Sequence, residues 1–597
     1  MVQRSAQMNL KKCAERVNDH IKKYYYLYGI LLIVGLGEVL INPIGEFPLN
    51  DDWAYTKIVK NYILENKIKS PDTGGSIFLF QLYIAVLVSK IFGFSFTLLR
   101  CIGVVFGILG VVVMYHIFMQ IQDSKKLATI GTLLFCMNPI YLNGANSFHP
   151  DVPTIFFMLL SFYCFIRYFY NRTFNFYVLG ILFAILACAI KQTSLSIGIA
   201  FAICGFISCN INIRNLINAI IPLCLTGLLI YIYYYSVIYF YVDWPGAYQS
   251  HGIKSVFFDK IFNHDYVIIE RMGYHLLTTS LSLGIFASPL TLPFVIKRFF
   301  KKKIKPYTVA LLLICFFVIV LIIALKIYFR HNQGVVSGGI WYMPFVGPNI
   351  YDFGIGPIYA TGIHQNDVPG VFQAGKYFWF SVSIIGAISF ISFLYIITIC
   401  FKKSYSGTVD IINIKRLILI FSLLIMMFSF LPYLFLYPHA KYLTLYFPFM
   451  IIAIISAFDI MREKIIYTYK FPLKIIIIFS IPIFIFGVLG TRDYLTFHRA
   501  RWGALKFLTD NKKIPVQKID GGFEFNEWHL SHLYIWKMTD DPRKKGRFWP
   551  VVDDEYIVTV TEIEGYDVYK EFKYRRWLPP GNHSINVLKR NTGQKNL

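Results

Sequence analysis

Two adjacent carboxylates, Asp51 and Asp52, stand in Asn50-Asp51-Asp52-Trp53-Ala54-Tyr55, just after the first long apolar segment, Tyr24 to Ile44. Ionisable groups are costly at a membrane and usually face a water-filled or reacting cavity. Neighbouring carboxylates also couple, so one holds a proton unless a cation sits near. Further along come His149-Pro150-Asp151, Lys191-Gln192-Thr193-Ser194 and His439-Ala440-Lys441-Tyr442. Together these residue types suit transfer of a phosphate-linked group. A carboxylate takes the proton of an acceptor hydroxyl as the new bond forms. A Lys, Arg or His stabilises the departing phosphate. Plainer readings stand beside these. The acidic pair also fits a solvated loop. Asp151, between Pro150 and Pro153, fits the start of a helix, where an acid is worth roughly 0.3–1 kcal/mol. His149 fits a structural polar residue, and Lys191 a snorkelling one.

The elements that must position these residues are membrane helices. The chain has 597 residues, 56% of them hydrophobic and 15% charged, with a mean hydropathy of +0.54. That excludes an ordinary soluble globule. Apolar runs of about 17–25 residues recur, each long enough for a bilayer core of about 30 Å. They are continuous rather than alternating, which implies helices and not a barrel. The net charge of +25 does not point to nucleic acid, because the positives cluster between apolar runs as orientation signals do. The cysteines lie in apolar segments and the N-terminal arm, with no disulfide framework. No metal-ligand spacing such as HExxH occurs among the histidines, so no metal is expected.

The pattern predicts about thirteen transmembrane helices, with the basic arm 1–23 in the cytoplasm. Helix 1 covers about 24–44. The first outer loop, 45–96, holds an amphipathic interfacial helix over Trp53–Glu65 and a second apolar helix over 77–92. Crossings follow at about 98–119, 127–145 and 152–170. Two more share the run 175–209, with Lys191 marking an outer turn. The rest lie at about 216–236, 276–296, 307–328, 377–400, 417–436, 443–460 and 473–490. Outer loops are expected at 237–275 and 330–373, the second Gly- and aromatic-rich and suited to closing over a substrate. Residues 1–490 form the transmembrane domain, and 491–597 a small α+β domain outside the membrane. In that domain a helix is expected over Arg499–Asn511, and strands over Glu555–Glu562, Tyr566–Tyr574 and Ser584–Lys589. The acidic and aromatic segment Ile519–His529 reads as a sugar contact or a strand-end turn.

The ordered set of motifs resembles the GT-C class of integral-membrane glycosyltransferases, similar to bacterial relatives of protein O-mannosyltransferases and of the lipid A aminoarabinose transferase. The set is the acidic pair after helix 1, the two loop helices, Phe92-Gly93-Phe94-Ser95-Phe96-Thr97-Leu98-Leu99-Arg100, Asn138-Pro139, Asp151-Val152-Pro153 and His439-Ala440-Lys441-Tyr442-Leu443. The resemblance covers about 1–490 in layout. It implies a polyprenyl-phosphate-linked sugar as donor and inverting transfer, without a metal, to a lipid, glycan or protein acceptor. The reaction would take place on the outer face of a bacterial cytoplasmic membrane. Asp51 maps to the general base, and its neighbour Asp52 is read as orienting it or the acceptor. Asp151 maps to the second acid, and Lys441-Tyr442-Leu443 to the basic turn before a late helix. A Lys-Pro pair common in aminoarabinose transferases is replaced by Ser76-Ile77-Phe78-Leu79-Phe80-Gln81, so the donor phosphate contact falls to Lys191, His439 or Lys441. A transporter or lipid flippase is the alternative, but charged midplane helices and paired repeats are missing. A non-catalytic assembly scaffold is the third reading.

Overall fold

The computed structural model describes residues 24–68, 76–122, 124–208, 213–236, 266–300, 345, 376–402, 409–435, 440–465, 473–533 and 550–591. The chain is mostly helical, with a small sheet near its C-terminus. Among the described residues nine helices are long and apolar enough to cross a membrane.

Those nine are nine of the thirteen expected crossings, and the other four have separate explanations. The segment 307–328 lies outside the described residues. The segment 127–145 is broken in two, α5 (Lys125–Cys136) and α6 (Pro139–Ala145). Pro139 has no N–H to continue the ladder, and the Asn138 side chain accepts from the amides of Ile140 and Tyr141 at 2.9 and 3.2 Å, restarting the helix. The run 175–209 becomes α8 (Phe174–Cys188) and α9 (Leu195–Ser208), of 15 and 14 residues. At 1.5 Å per residue each is about 22 Å long, short of the hydrocarbon thickness.

The other helices are α1 (Tyr24–Ile41), α2 (Asp52–Glu65), α3 (Leu79–Phe92), α4 (Phe96–Ile121), α7 (Asp151–Asn171), α10 (Ile213–Ser236), α11 (Tyr266–Phe300), α12 (Lys376–Lys402), α13 (Val409–Phe435), α14 (Leu443–Ile465), α15 (Leu473–Lys506) and α16 (Phe523–Leu530). Leu32, Leu36, Val39 and Leu40 of α1 are exposed, as suits a lipid-facing helix. Residues 443–461 of α14 are instead all buried, which makes this helix the pillar of the bundle. Of the expected outer loops, 237–265 lies outside the described residues and 266–275 belongs to α11. The loop 330–373 is also outside them, apart from the buried Phe345.

The expected interfacial helix is present as α2, but protein covers it. Trp53, Ala54, Tyr55, Thr56, Ile58 and Val59 are buried, and Trp53 packs with Phe523 and Val551 of the C-terminal domain. That domain carries a four-stranded sheet in the order β1 (Ile519–Asp520), β2 (Tyr556–Thr559), β4 (Pro580–Arg590), β3 (Tyr566–Trp577). β1 and β2 are parallel and the other pairs antiparallel. α15 runs without a break past residue 490, and one core joins its Leu495 and Leu505, with Leu508 of the turn that follows, to Val558, Ile585 and Val587 of the sheet. The helix expected over Arg499–Asn511 is its last stretch, closed by a π-turn at Phe507–Asn511.

Candidate active site

Four segments meet at the loop end of this bundle. The first is the turn before α2, where Asn50 adopts a left-handed φ of 48° and α2 follows at once. Arg100 of α4 fixes that turn from below. Its guanidinium donates to the carbonyls of Pro43, Gly45 and Phe47 at 2.6, 3.1 and 2.7 Å. Glu46 returns the tie by accepting from Ser95 Oγ and the amides of Phe96 and Thr97 at 2.6–3.2 Å, where α4 begins. Burial favours the protonated form of Glu46, but these donors outweigh it and hold the pKa below the usual carboxylate range.

The adjacent carboxylates part company at this turn. Asp51 makes an ion pair with Lys441 and stays partly open to solvent. Asp52 is buried, and its two oxygens accept from the amides of Leu49 (2.6 Å) and Phe148 (3.1 Å). It therefore stitches the loop before α2 to the loop before α7. Burial pushes its pKa up to about 7, against the opposing pull of Arg100 and of the two amides.

The second segment is the turn before α7. Asp151 makes an ion pair with Lys191, and His149 Nδ1 lies 2.9 Å from its other oxygen. Asp151 is also the acidic residue of the first turn of α7, so a place favoured by the helix dipole and the ion pair coexist at one residue, without a side-chain cap bond. Burial lowers the pKa of His149, with Asp151 acting against it and the two lysines adding to it. The third segment is the turn between α8 and α9. Its carbonyls at Ala189 and Ile190 accept from Phe80 and Phe78, which holds Lys191 beside the start of α3. The fourth is the 3-10 turn Ala440–Tyr442 before α14, which presents Lys441 and Tyr442.

Tyr442 joins the two ion pairs. Lys191 Nζ lies 4.7 Å and Lys441 Nζ 5.6 Å from its ring centroid. Cations over an aromatic face are attracted by its quadrupole. Asp51, Asp52, His149, Asp151, Lys191, Lys441 and Tyr442 therefore share one end of the bundle, drawn from segments 390 residues apart. His439 lies outside the described residues. Two aromatic members were not anticipated. Tyr433 of α13 stacks on Tyr442 with ring centroids 4.1 Å apart, and Tyr55 meets His149 edge-on at 5.5 Å. Tyr433 carries no sequence signal among 42 tyrosines, whereas Tyr55 closes the stretch that holds the acidic pair.

Residues 79–240 match the family model described as dolichyl-phosphate-mannose-protein mannosyltransferase. Over this stretch the chain resembles the GT-C glycosyltransferases. His149, Asp151 and Lys191 fall inside the GT-C-like stretch, while Asp51, Asp52, Lys441 and Tyr442 fall outside it. An uncharacterised protein of Aquifex aeolicus is 29% identical over 122 residues, which is 20% of this chain and 24% of that one. The chain thus spans about a quarter of the length of this curated relative. Two crystal structures of ArnT from Cupriavidus metallidurans also align. The one bound to undecaprenyl phosphate does so at 10% identity and a TM-score of 0.38, covering 96% of this chain and 100% of that one. The apo one gives 10% and 0.35, covering 94% and 97%.

Proposed function

We propose that the chain is a membrane glycosyltransferase that moves a sugar from a polyprenyl-phosphate donor to an envelope lipid, glycan or protein. We place the reaction on the outer face of a bacterial cytoplasmic membrane, with inversion and without a metal. The observation that carries this reading is the doubled ion pair, Asp51–Lys441 and Asp151–Lys191, with both lysines within about 6 Å of the Tyr442 ring. The family match over residues 79–240 supports the class of chemistry.

A lipid phosphate brings negative charge to a site already holding two lysines. Lys441 then turns from Asp51 to the phosphate, which frees the Asp51 carboxylate at the moment the donor is in place. The acceptor hydroxyl attacks the anomeric carbon and passes its proton to Asp51. The bond from that carbon to the phosphate oxygen breaks, and the lipid phosphate leaves with the charge, held by Lys441 and Lys191. Asp52 keeps the Asp51 turn in register, and His149 and Asp151 fix Lys191. Tyr442 keeps the two cations within reach of one phosphate.

The test is transfer from a radiolabelled polyprenyl-phosphate sugar by the purified protein in lipid nanodiscs. Asp51→Asn should lower kcat by about 10²–10⁴-fold, the usual contribution of a general base, with donor binding retained. A chelator should leave wild-type activity unchanged. Wild-type kcat in Asp51→Asn would remove the assignment, and loss of activity on chelation would remove metal independence.

A further inference from the structure

The C-terminal domain reaches into the site at one point, and that contact is a built one. Glu524, at the start of α16, is fully buried. Its Oε1 accepts the backbone amide of Asn50 at 3.1 Å, across 474 residues of sequence. Asn50 immediately precedes Asp51, so this bond holds the peptide that aims the proposed base. On its other side Glu524 Oε2 accepts from the Arg501 guanidinium at 2.7 Å, and Arg501 is also fully buried. Arg501 in turn donates to the carbonyl of Gly521 at 3.0 Å, locking the turn that carries Glu524. That turn needs glycine, since Gly522 sits at φ 82°. His498 Nε2 lies 3.9 Å from the same carboxylate, and its ring stacks on Phe47 of the first outer loop.

An independent seam shows that the domain is fastened to α2 rather than resting on it. Lys57 Nζ donates to the carbonyl of Trp528 at 3.0 Å and to Ser531 Oγ at 2.7 Å. Trp53 meets Phe523 edge-on at 6.3 Å, and Lys60 lies 5.1 Å from the Trp528 ring centroid. α2 and the turn before it are therefore held from the membrane side by Arg100 and from the outer side by α16.

We infer that Glu524, backed by Arg501, is a positioning residue for transfer: it holds the Asn50 amide so that Asp51 faces the acceptor hydroxyl. The C-terminal domain is then half of the active-site scaffold. This rests on the proposed glycosyl transfer with Asp51 as base. A buried carboxylate spent on one backbone amide of a loop, with its own buried arginine, goes beyond what docking alone requires, because the Lys57 and Trp53 contacts already provide that.

The experiment compares Glu524→Ala, Glu524→Gln and Glu524→Asp in full-length protein in nanodiscs, with wild type and Asp51→Asn alongside. Gln keeps an oxygen able to accept from Asn50, Ala removes it, and Asp draws it back by one methylene. Expected is a fall in kcat of at least tenfold for Ala and Asp at unchanged donor KM, with Gln within threefold of wild type. Equal kcat in all three, or a change confined to KM, would overturn the inference while leaving the reading of Asp51 intact. Should Glu524→Ala not fold, the Asp and Gln pair alone decides, since equal kcat in those two overturns it. A fully active Asp51→Asn would instead sink the underlying reading, whatever the Glu524 variants do.

Discussion

Asp52 shows how position overrides residue type. It and Asp51 are chemically identical neighbours, yet one meets Lys441 and the other is enclosed with two backbone amides. The pKa pushed up to about 7 has a consequence for stability. An unfolded aspartate loses its proton near 3.9, while the folded one keeps it to about 7. Between those values the folded chain binds more protons than the unfolded chain, so raising the pH through this window removes stability. Below about 4 both states are protonated and the contribution is fully present. Asp52→Asn cannot ionise and should lack this loss. Melting of wild type and variant in detergent from pH 4.5 to 8 should show the wild type falling relative to the variant as pH rises. Parallel curves would mean that Asp52 stays ionised throughout.

At the scale of the elements, small residues let helices approach where lipid offers no hydrophobic drive between them. α11 and α12 cross at Gly284 and Gly386. A Cβ on Gly386 would meet the Leu281 carbonyl oxygen at 2.5 Å and Ile285 Cγ1 at 3.0 Å. Nearby, Thr291 Oγ1 and Ser389 Oγ are 2.7 Å apart across the same pair. Gly227 of α10 has open space in the Cβ direction. Gly386→Leu should therefore destabilise by about 1–3 kcal/mol, the usual cost of overpacking, and Gly227→Leu by much less. Reversible unfolding in mixed micelles measures both, and equal effects would show that the crossing tolerates separation. Helices such as α4 and α7 were legible in the sequence because bilayer thickness is written into run length. The crossing partners were not, because a glycine in an apolar run looks the same whether it faces lipid or a backbone. Asn138-Pro139 was visible as a motif, but its effect of splitting one expected helix is a matter of local hydrogen bonding that run length does not register.

For the whole molecule, run length gives nine of the thirteen expected crossings among the described residues, while the site depends on tertiary pairing. Asp51 and Lys441 were both nameable as candidates from their places beside helix ends, yet their contact closes a loop of 390 residues. No local pattern encodes such a pairing, and Glu524 lies farther still along the chain. What ties the scales together is α15. Its 34 residues extend about 51 Å at 1.5 Å per residue, well beyond a hydrocarbon core of about 30 Å. The surplus carries the sheet to the same end of the bundle as Asp51, so one orientation fixes both. Lys125 and Lys126 at the start of α5, and Lys297 and Arg298 towards the end of α11, lie at the opposite end, which the positive-inside rule predicts to be the cytoplasmic one. Lys573 is exposed on β3 and Lys126 is exposed at that opposite end, so each is a surface reporter. With a membrane-impermeant maleimide on intact spheroplasts, Lys573→Cys should label above the parent protein and Lys126→Cys only after the membrane is opened. The reverse pattern would turn the molecule over. It would put the ion pairs and Tyr442 in the cytoplasm and remove the outer-face reaction, while leaving the geometry of the site as described.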